Sequence, residues 1–560
     1  MRTRLSNFLG SALIAGTLIA VGTANAQTPA PAAGAATPIQ HLVVIFQENI
    51  SFDHYFGTYP FAANPEGEPA FYAFPNTPSV NGFSPAILNG TATIANTANG
   101  SGANAPFRFD RSQAATSDQD HDYTAEQIAY HSGLVDLFPM ATGTPGPPPS
   151  NLPVASTTGI VMGYYDGNTV TALWNYAQHY AMSDNSYGTN FGPSTDGALN
   201  VISGQLNGAI NNTNGTGSLI EDGSGGYTDI SDADPAGDVC STTTGETFSM
   251  SGKNIGDLLN AAGVSWGFFE GGFDLTATNP NGSTGCARST TSLITGSKKA
   301  DYIPHHQPFQ YYKSTQNLNH TRPTSVAMIG QQGDAANHQY DINDFYAAVN
   351  AGNFPAVSYL KAPGFQDGHA GYSDPLDEQQ FIVHVINFLQ QQPSWPSTAV
   401  VISYDDSDGW YDHVMPPLVN QSTSSADMVT GNGTCGNGAS ALPGVASGTA
   451  HAQGRCGYGP RLPMMVISPY AKQNFVDHTI TDQSSIVRFI EDNWLNGERI
   501  QGSFDAIAGT LDNMFNFEAA PNTATLLLSE TSGLATNPAQ SATPHTAMHP
   551  HSYKTPTGTR

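Results

Sequence analysis

The fold is decided by the segment His41-Leu-Val-Val-Ile-Phe-Gln-Glu-Asn-Ile-Ser-Phe-Asp-His-Tyr-Phe-Gly57. Its apolar run, Leu42 to Phe46, is typical of a strand that is buried on both faces, as in a parallel sheet. The run ends at Gln47, so the carboxylate of Glu48 and the amide of Asn49 follow the strand's carboxyl end. Ligands bind at that edge of open α/β sheets, and these oxygens could form half of a divalent cation site. A polar turn after a core strand is the alternative interpretation.

Other apolar runs are similar and alternate with stretches that have helical periodicity. The strand-like runs are Leu42 to Phe46, Ala356 to Leu360, Ala399 to Ser403 and Pro463 to Ser468, and the helix-like stretches include Ala172 to Tyr180, Ile255 to Ala262, Asp377 to Gln391 and Ser484 to Trp494. This alternation predicts an α/β fold, with helices on both faces of a mainly parallel central sheet. Gly/Asn/Thr/Ser-rich segments at 60–110, 140–158, 206–248 and 418–456 are predicted to be surface loops or small subdomains.

A second acidic motif follows the strand-like run Ala399 to Ser403. Asp405 and Asp406 lie directly after it, and adjacent carboxylates repel each other unless a cation or a basic group lies between them. Together with Glu48 and Asn49 they predict an oxygen-rich site for one divalent cation. A solvated turn is the alternative.

A hydroxyl is predicted at the start of a helix. Gly192-Pro-Ser-Thr195 precedes a helical pattern, so Ser194 would lie beside backbone N–H groups that can bind phosphate. A cation could lower the pKa of the Ser194 hydroxyl and make it nucleophilic. An ordinary N-cap serine is the alternative.

Three histidine clusters lie in loop-like sequence rather than on apolar helix faces. They are Asp118-Gln-Asp-His121, Asp301-Tyr-Ile-Pro-His305-His306 and Gln366-Asp-Gly-His369. Imidazoles that converge on one pocket could bind phosphate oxygens, and one could protonate a leaving group. Any single histidine is more often structural.

The chain termini and the amino-acid composition limit the class of protein that this can be. Residues 1–26 have the basic start, apolar run and small-residue cleavage site of an export signal, and 27–38 are an Ala/Pro-rich flexible linker. We predict one catalytic domain at 39–530, a disordered tail at 531–560, and a periplasmic or secreted location. With 45 acids against 18 bases, the net charge of −27 argues against nucleic acid as a partner, and no later segment predicts a stable membrane anchor.

The four cysteines suggest disulfides in an exported protein. Pairing Cys240 with Cys286 and Cys435 with Cys456 would staple two of the long insertions, although the sequence permits three connectivities.

The motifs resemble those of a known family. Glu48-Asn-Ile-Ser-Phe-Asp-His-Tyr-Phe-Gly57 is similar to the Glu-Asn-Arg-Ser-Phe-Asp-His-Tyr-Phe-Gly signature of the bacterial phosphoesterase family, which holds phospholipase C enzymes and certain acid phosphatases. Tyr404 to His413 and Gly459 to Pro463 also match, so the resemblance covers roughly residues 38 to 500. It implies an alkaline-phosphatase-like α/β fold. Ile50 stands where the family commonly has Arg, which leaves the ligands intact but removes a basic side chain beside the site, together with any substrate contact that this Arg would make.

The resemblance also implies a role for each motif residue. The cation ligands become Glu48, Asn49, Ser194, Asp405 and Asp406, Ser194 is also the nucleophile, and the phosphate-pocket or acid/base residues become His121, Asp301, His305, His306 and His369. The cation could be Mg, Mn, Ca or Zn, and His369 is a candidate to protonate the leaving group.

The sequence is compatible with three functions. Ser194 and the Asp405-Asp406 pair resemble the acid phosphatase branch, so the main prediction is hydrolysis of phosphorylated small molecules through a phosphoserine. The alternative is a phospholipase C that cleaves the head group of choline-type phospholipids, with aromatic residues around its mouth. For that mouth the candidates, which could equally be core, are Tyr123, Trp266, Phe268 and Phe269. A non-catalytic exported binding protein is the third function.

Overall fold

The computed structural model describes residues 34–90, 95–100, 105–144, 158–206, 208–212, 217–221, 227–436 and 455–537. Its centre is one eight-stranded sheet. In chain order the strands are β1 (His41–Gln47), β2 (Ala181–Ser183), β3 (Trp266–Glu270), β4 (Gln339–Asp341), β5 (Val357–Lys361), β6 (Thr398–Tyr404), β7 (Met464–Ile467) and β8 (Phe475–Asp477).

The sheet order is β4-β3-β5-β1-β6-β7-β2-β8. The first five strands in this order are parallel, and β2 is parallel to β8, whereas β7 is antiparallel to both of its neighbours. The predicted α/β class is therefore confirmed, and the predicted mainly parallel sheet is confirmed in part. β1 lies between parallel neighbours and is buried after His41, which explains its unbroken apolar run.

Helices cover both faces of the sheet. In chain order they are α1 (Phe52–Phe56), α2 (Pro85–Leu88), α3 (Tyr123–Tyr130), α4 (Phe138–Ala141), α5 (Thr171–His179), α6 (Ser194–Ser203), α7 (Ile255–Ala262), α8 (Ile342–Asn350), α9 (Pro375–Gln390) and α10 (Ser484–Trp494). The Tyr359 hydroxyl of β5 donates to Val201 O in α6, and the Tyr404 hydroxyl of β6 donates to Glu378 in α9. The strand register places these two tyrosines on opposite faces of the sheet. Helices α6 and α9 therefore lie on opposite faces as well.

One predicted insertion forms a sheet of its own. The insertion sheet consists of Ala209–Asn211, Leu219–Glu221, Tyr227–Asp229, Asp234–Pro235 and Thr247–Met250. The predicted disulfides are confirmed, since Cys240 is bonded to Cys286 and Cys435 to Cys456. They fix segments that have few apolar side chains to hold them.

The sequence predicted the long elements better than the short ones. The four strand-like runs correspond to β1, β5, β6 and β7, and the four helix-like stretches to α5, α7, α9 and α10. Strands β2, β3, β4 and β8 were missed. The candidate mouth aromatics Tyr123, Trp266, Phe268 and Phe269 are all buried core residues.

The chain ends lie mostly outside the described residues. The predicted signal segment 1–26, the linker up to residue 33 and the tail from 538 onward belong to that part. Residues 531–537 are described, and Thr536 N donates to Leu527 O at 2.9 Å. Within the described ranges, no helix combines the length and apolar character needed to cross a bilayer.

Candidate active site

Two neighbouring strands bring the acidic motifs together. β1 and β6 are parallel and remain paired to their last residues, so Glu48 and Asn49 lie beside Asp405 and Asp406. The Asn49 backbone N–H donates to Asp405 Oδ1 at 2.8 Å. All four side chains are buried. The two motifs therefore form one polar cluster at the carboxyl edge of the sheet.

Helix α6 points the Ser194 hydroxyl into this cluster. Ser194 Oγ donates to Glu48 Oε2 at 3.0 Å and to Asp406 Oδ2 at 3.1 Å. Pro193 is the N-cap residue and Ser194 is the first residue of the helix. The interpretation of Ser194 as an ordinary N-cap serine is therefore wrong, because its side chain contacts the acids and not the helix backbone.

Two local features hold α6 against the acidic motif. A Cβ on Gly197 would collide with the backbone of Asp405, so only glycine permits this approach. Glu126 links the loop before α6 to the loop after β6, since it accepts hydrogen bonds from Gly192 N at 3.0 Å and from Ser407 Oγ at 2.5 Å. Glu126 was not predicted, because nothing in its local sequence distinguishes it from other helical acids.

The acids of the cluster resist ionisation. Burial, with the Asp405 carboxylate adding to the effect, raises the pKa of Glu48 to about 7. Burial and the neighbouring Asp406 raise the pKa of Asp405 to about 6. Burial raises the pKa of Asp406 to about 8. Desolvated carboxylates that repel one another in this way are stabilised by a bound cation.

The donor set fits a hard divalent cation. In the described part of the chain, Asn49 Oδ1 and Asp405 Oδ2 are buried without a hydrogen-bond partner. Other buried side-chain atoms of the described residues also lack a partner, but these two belong to neighbouring predicted ligands. Carboxylate, amide and hydroxyl oxygens are the ligands that Mg²⁺, Mn²⁺ and Ca²⁺ prefer. The predicted cation ligands therefore stay a prediction: Glu48, Asn49, Ser194, Asp405 and Asp406.

Lys361 is a buried charge that was not predicted. Its ammonium contacts Glu48 Oε1, and its side chain is 1% exposed. Lys361 ends β5 just as Glu48 follows β1, so it carries the same signal of a charge at the end of an apolar strand. That signal was missed because the predicted strand ended one residue earlier, at Leu360.

Two predicted histidines flank Glu48. His306 Nε2 lies 3.4 Å from Glu48 Oε2, and its Nδ1 lies 4.0 Å from Asp367, an acid that was not predicted. The ring of His305 meets that of His306 at 4.6 Å between centroids. His305 also pairs with Asp234 of the insertion sheet at 3.5 Å. Burial lowers the pKa of His306 well below its usual value.

The other two histidines meet on the Asn49 side. The rings of His121 and His369 are edge to face, with 6.0 Å between centroids. His121 Nδ1 lies 2.8 Å from Gln119 O, and His369 Nδ1 lies 2.5 Å from Ala370 O. His121 Nε2 is 3.4 Å from the Asn49 amide nitrogen. The structure therefore brings all four predicted histidines around the acidic cluster.

Asp408 orients this side of the site. It accepts from the Asn49 amide at 3.1 Å and lies 3.3 Å from His121 Nδ1. Burial of the His121 ring lowers its pKa, but the Asp406 and Asp408 carboxylates outweigh burial and hold that pKa well above its usual value. The imidazolium form of His121 suits contact with an anion.

Asp301 is the predicted site residue that lies apart. It accepts from the Asn279 amide at 2.7 Å and pairs with Arg288 at 3.6 Å. Among the hydrogen bonds and ion pairs of the described residues, none joins Asp301 to Ser194. The geometry gives Asp301 a role in holding its loop.

Within the described residues, three groups bring three Asp, Cys or His ligand atoms within 4.8 Å of one another, and the acids Glu48, Asp405 and Asp406 are not among them. The three groups are Asp118-His121-His369, Asp238-Cys240-His320 and Asp53-Asp412-His413. Cys240 is in a disulfide and cannot ligate as a thiolate. In the last group, Arg461 already neutralises Asp53 and Asp412 at 2.9 and 3.1 Å. Only the first group adjoins the acidic cluster.

Comparison with known proteins gives a family and relatives. The model of the Phosphoesterase family matches residues 39–495. The chain is 26% identical to the non-hemolytic phospholipase C of Burkholderia pseudomallei (90% of this chain, 62% of the relative) and 24% identical to phospholipase C A of Mycobacterium tuberculosis (88% and 80%). It thus spans about three fifths of the first relative's length. A mutant of the alkaline phosphatase PafA matches 61% of this chain and 94% of its own, at 8% identity and a TM-score of 0.32.

Proposed function

Because this chain belongs to the Phosphoesterase family, whose enzymes hydrolyse phosphoric esters, we propose that it cleaves phosphodiesters in the manner of a phospholipase C. The observation that carries the proposal is the Ser194 hydroxyl, held 3.0 Å from Glu48 and 3.1 Å from Asp406 at a helix start. The phospholipase C names of its relatives support the diester, which is the alternative in the sequence analysis.

The chemistry is a two-step displacement at phosphorus. Ser194 Oγ forms a bond to phosphorus as the bond to the leaving alcohol breaks, and water then cleaves the phosphoserine and releases the phosphorylated head group. A divalent cation on the predicted ligands would acidify the serine hydroxyl and neutralise phosphate charge. His121 and His369 are the candidates to hold the proton that the leaving alcohol takes up.

The pocket histidines provide N–H donors around the nucleophile. His305 and His306 lie on the Glu48 side and His121 on the Asn49 side, so the nucleophile has imidazoles on two sides. Imidazole N–H groups donate to phosphate oxygens and stabilise the charge that they carry in the transition state.

Hydrolysis of phosphate monoesters is the second candidate function. It is favoured by Ser194 as the nucleophile and by the Asp405-Asp406 pair, which resemble the acid phosphatase branch. The relatives support the diester better, so the acid phosphatase takes second place. The non-catalytic alternative loses its support with the family assignment.

An assay on two chromogenic esters tests the proposal. We expect p-nitrophenyl phosphorylcholine to be hydrolysed faster than p-nitrophenyl phosphate, and Ser194→Ala to abolish both activities. Ser203→Ala is the matched control, since its hydroxyl lies in the same helix and donates to the backbone oxygens of Leu199 and Gln205. A faster monoester reaction would establish the acid phosphatase. Activity that survives in Ser194→Ala would refute the nucleophile.

We also propose the cellular setting from the sequence. The predicted export signal at residues 1–26 and the two disulfides support a periplasmic or secreted enzyme. Its substrates would be phospholipid head groups or other phosphorylated small molecules, and its net charge of −27 disfavours nucleic acid.

A further inference from the structure

The insertion sheet delivers an acid to the helix that carries the nucleophile. Asp232 Oδ1 accepts hydrogen bonds from Thr195 N at 3.0 Å and from Thr195 Oγ1 at 3.1 Å. Thr195 directly follows Ser194 in the chain, and consecutive Cα atoms are only about 3.8 Å apart. The Asp232 carboxylate therefore already accepts a hydrogen bond from one of the helix N–H groups that were predicted to bind phosphate.

The position of Asp232 is fixed by its neighbours. It lies between Tyr227–Asp229 and Asp234–Pro235, two strands of the insertion sheet. The next residue, Ala233, is buried, and its carbonyl oxygen accepts from the Tyr311 hydroxyl at 2.6 Å. Asp232 itself is exposed to solvent at the rim of the site. The nucleophile Ser194 therefore has a carboxylate held on the residue that follows it in the chain.

Asp232 carries a negative charge in this position. Desolvation raises its pKa, but the nearby rings of His305 and His121 and the hydrogen bonds from Thr195 outweigh that effect and lower the pKa overall. The histidines that could attract phosphate are thus partly neutralised by Asp232. The rim of the site attracts an anion less strongly than its imidazoles alone would.

We propose that Asp232 is a specificity-determining residue, which favours singly charged phosphodiesters over doubly charged phosphate monoesters. The inference rests on the proposed function and deepens it. A diester carries one negative charge, whereas a monoester above pH 6 carries nearly two. One further charge, roughly 6–10 Å from a carboxylate at an effective dielectric constant of about 20, changes binding by roughly 15- to 100-fold without salt, and screening at about 0.15 M ionic strength reduces this to on the order of tenfold.

Two substitutions separate charge from shape. Asp232→Asn keeps the oxygen that accepts from Thr195 but removes the charge, and Asp232→Glu keeps the charge. At pH 7.5 we expect Asp232→Asn to raise kcat/KM for p-nitrophenyl phosphate by on the order of tenfold relative to bis(p-nitrophenyl) phosphate, a diester with one negative charge and no cationic group. Asp232→Glu should leave that ratio near the wild-type value. A ratio unchanged in Asp232→Asn, or changed equally in both variants, would overturn the proposal.

Binding of inorganic phosphate decides the question without turnover. Titration calorimetry at pH 7.5 should show tighter phosphate binding to Asp232→Asn by on the order of tenfold and no such gain in Asp232→Glu. Equal phosphate affinity in wild type and Asp232→Asn would refute the role of the charge. If the wild type hydrolyses neither ester, the proposed function fails, while this titration still tests Asp232.

Discussion

Replacing Lys361 by Met tests the electrostatics of the cation site most directly. The Lys361 ammonium is buried against Glu48, so Met keeps most of the side-chain volume but leaves a buried carboxylate without its partner. Removing one partner of a buried ion pair costs about 3–5 kcal/mol of unfolding free energy. A divalent cation would restore positive charge at the same carboxylate, so the loss should be much smaller when the cation is bound.

Urea unfolding followed by tryptophan fluorescence, with and without Mn²⁺, measures both quantities. A cation at 100 times its Kd stabilises the folded state by about 2.7 kcal/mol, and we expect a larger gain in Lys361→Met than in the wild type. Lys299→Met is the control, because Lys299 is a lysine of the same region that lies 3.8 Å above the ring of Tyr372. The reasoning is refuted if Lys361→Met loses the same stability in both conditions, or no more than Lys299→Met loses.

Two further predictions concern buried carboxylates. Asp405→Asn should weaken Mn²⁺ binding by roughly tenfold or more in titration calorimetry, since it removes a charged ligand, and Asp512→Asn, an exposed control, should not. Burial raises the pKa of Glu378 to about 8 in the folded state, whereas in the unfolded state this group releases its proton near pH 4.5. Between these two pH values the folded state binds one more proton, so the free energy of unfolding falls as pH rises. Glu378→Gln should match the wild type at pH 5 but be more stable at pH 8, with a slope smaller by up to about 1.4 kcal/mol per pH unit. Parallel slopes in urea unfolding from pH 5 to 8 would contradict this.

The site could be predicted where its signal is local. Glu48 and Asp405 each follow a long apolar strand, and the parallel sheet brings the ends of such strands to one edge. Lys361 carries the same signal, and only the position of the strand end hid it. Three-residue strands such as Ala181–Ser183 are too short for a periodic pattern, and the sheet, not their sequence, determines them. The role of Asp301 came from the family resemblance, and its contacts with Asn279 and Arg288 give no direct link to Ser194.

The difference between local sequence signals and features that depend on the fold also explains why the motifs alone favoured the monoester. Ser194 and the acid pair act on the phosphorus centre and on oxygens that monoesters and diesters share, so their identity says little about selectivity. Selectivity depends on groups that meet what differs between the esters, namely the second charge or the second alcohol. Asp232 is such a group, and it comes from the insertion at 206–248, whose composition predicts only a loop or small subdomain. On this proposal the insertion determines which ester is preferred, whereas the residues at the ends of the strands carry out the phosphoryl chemistry.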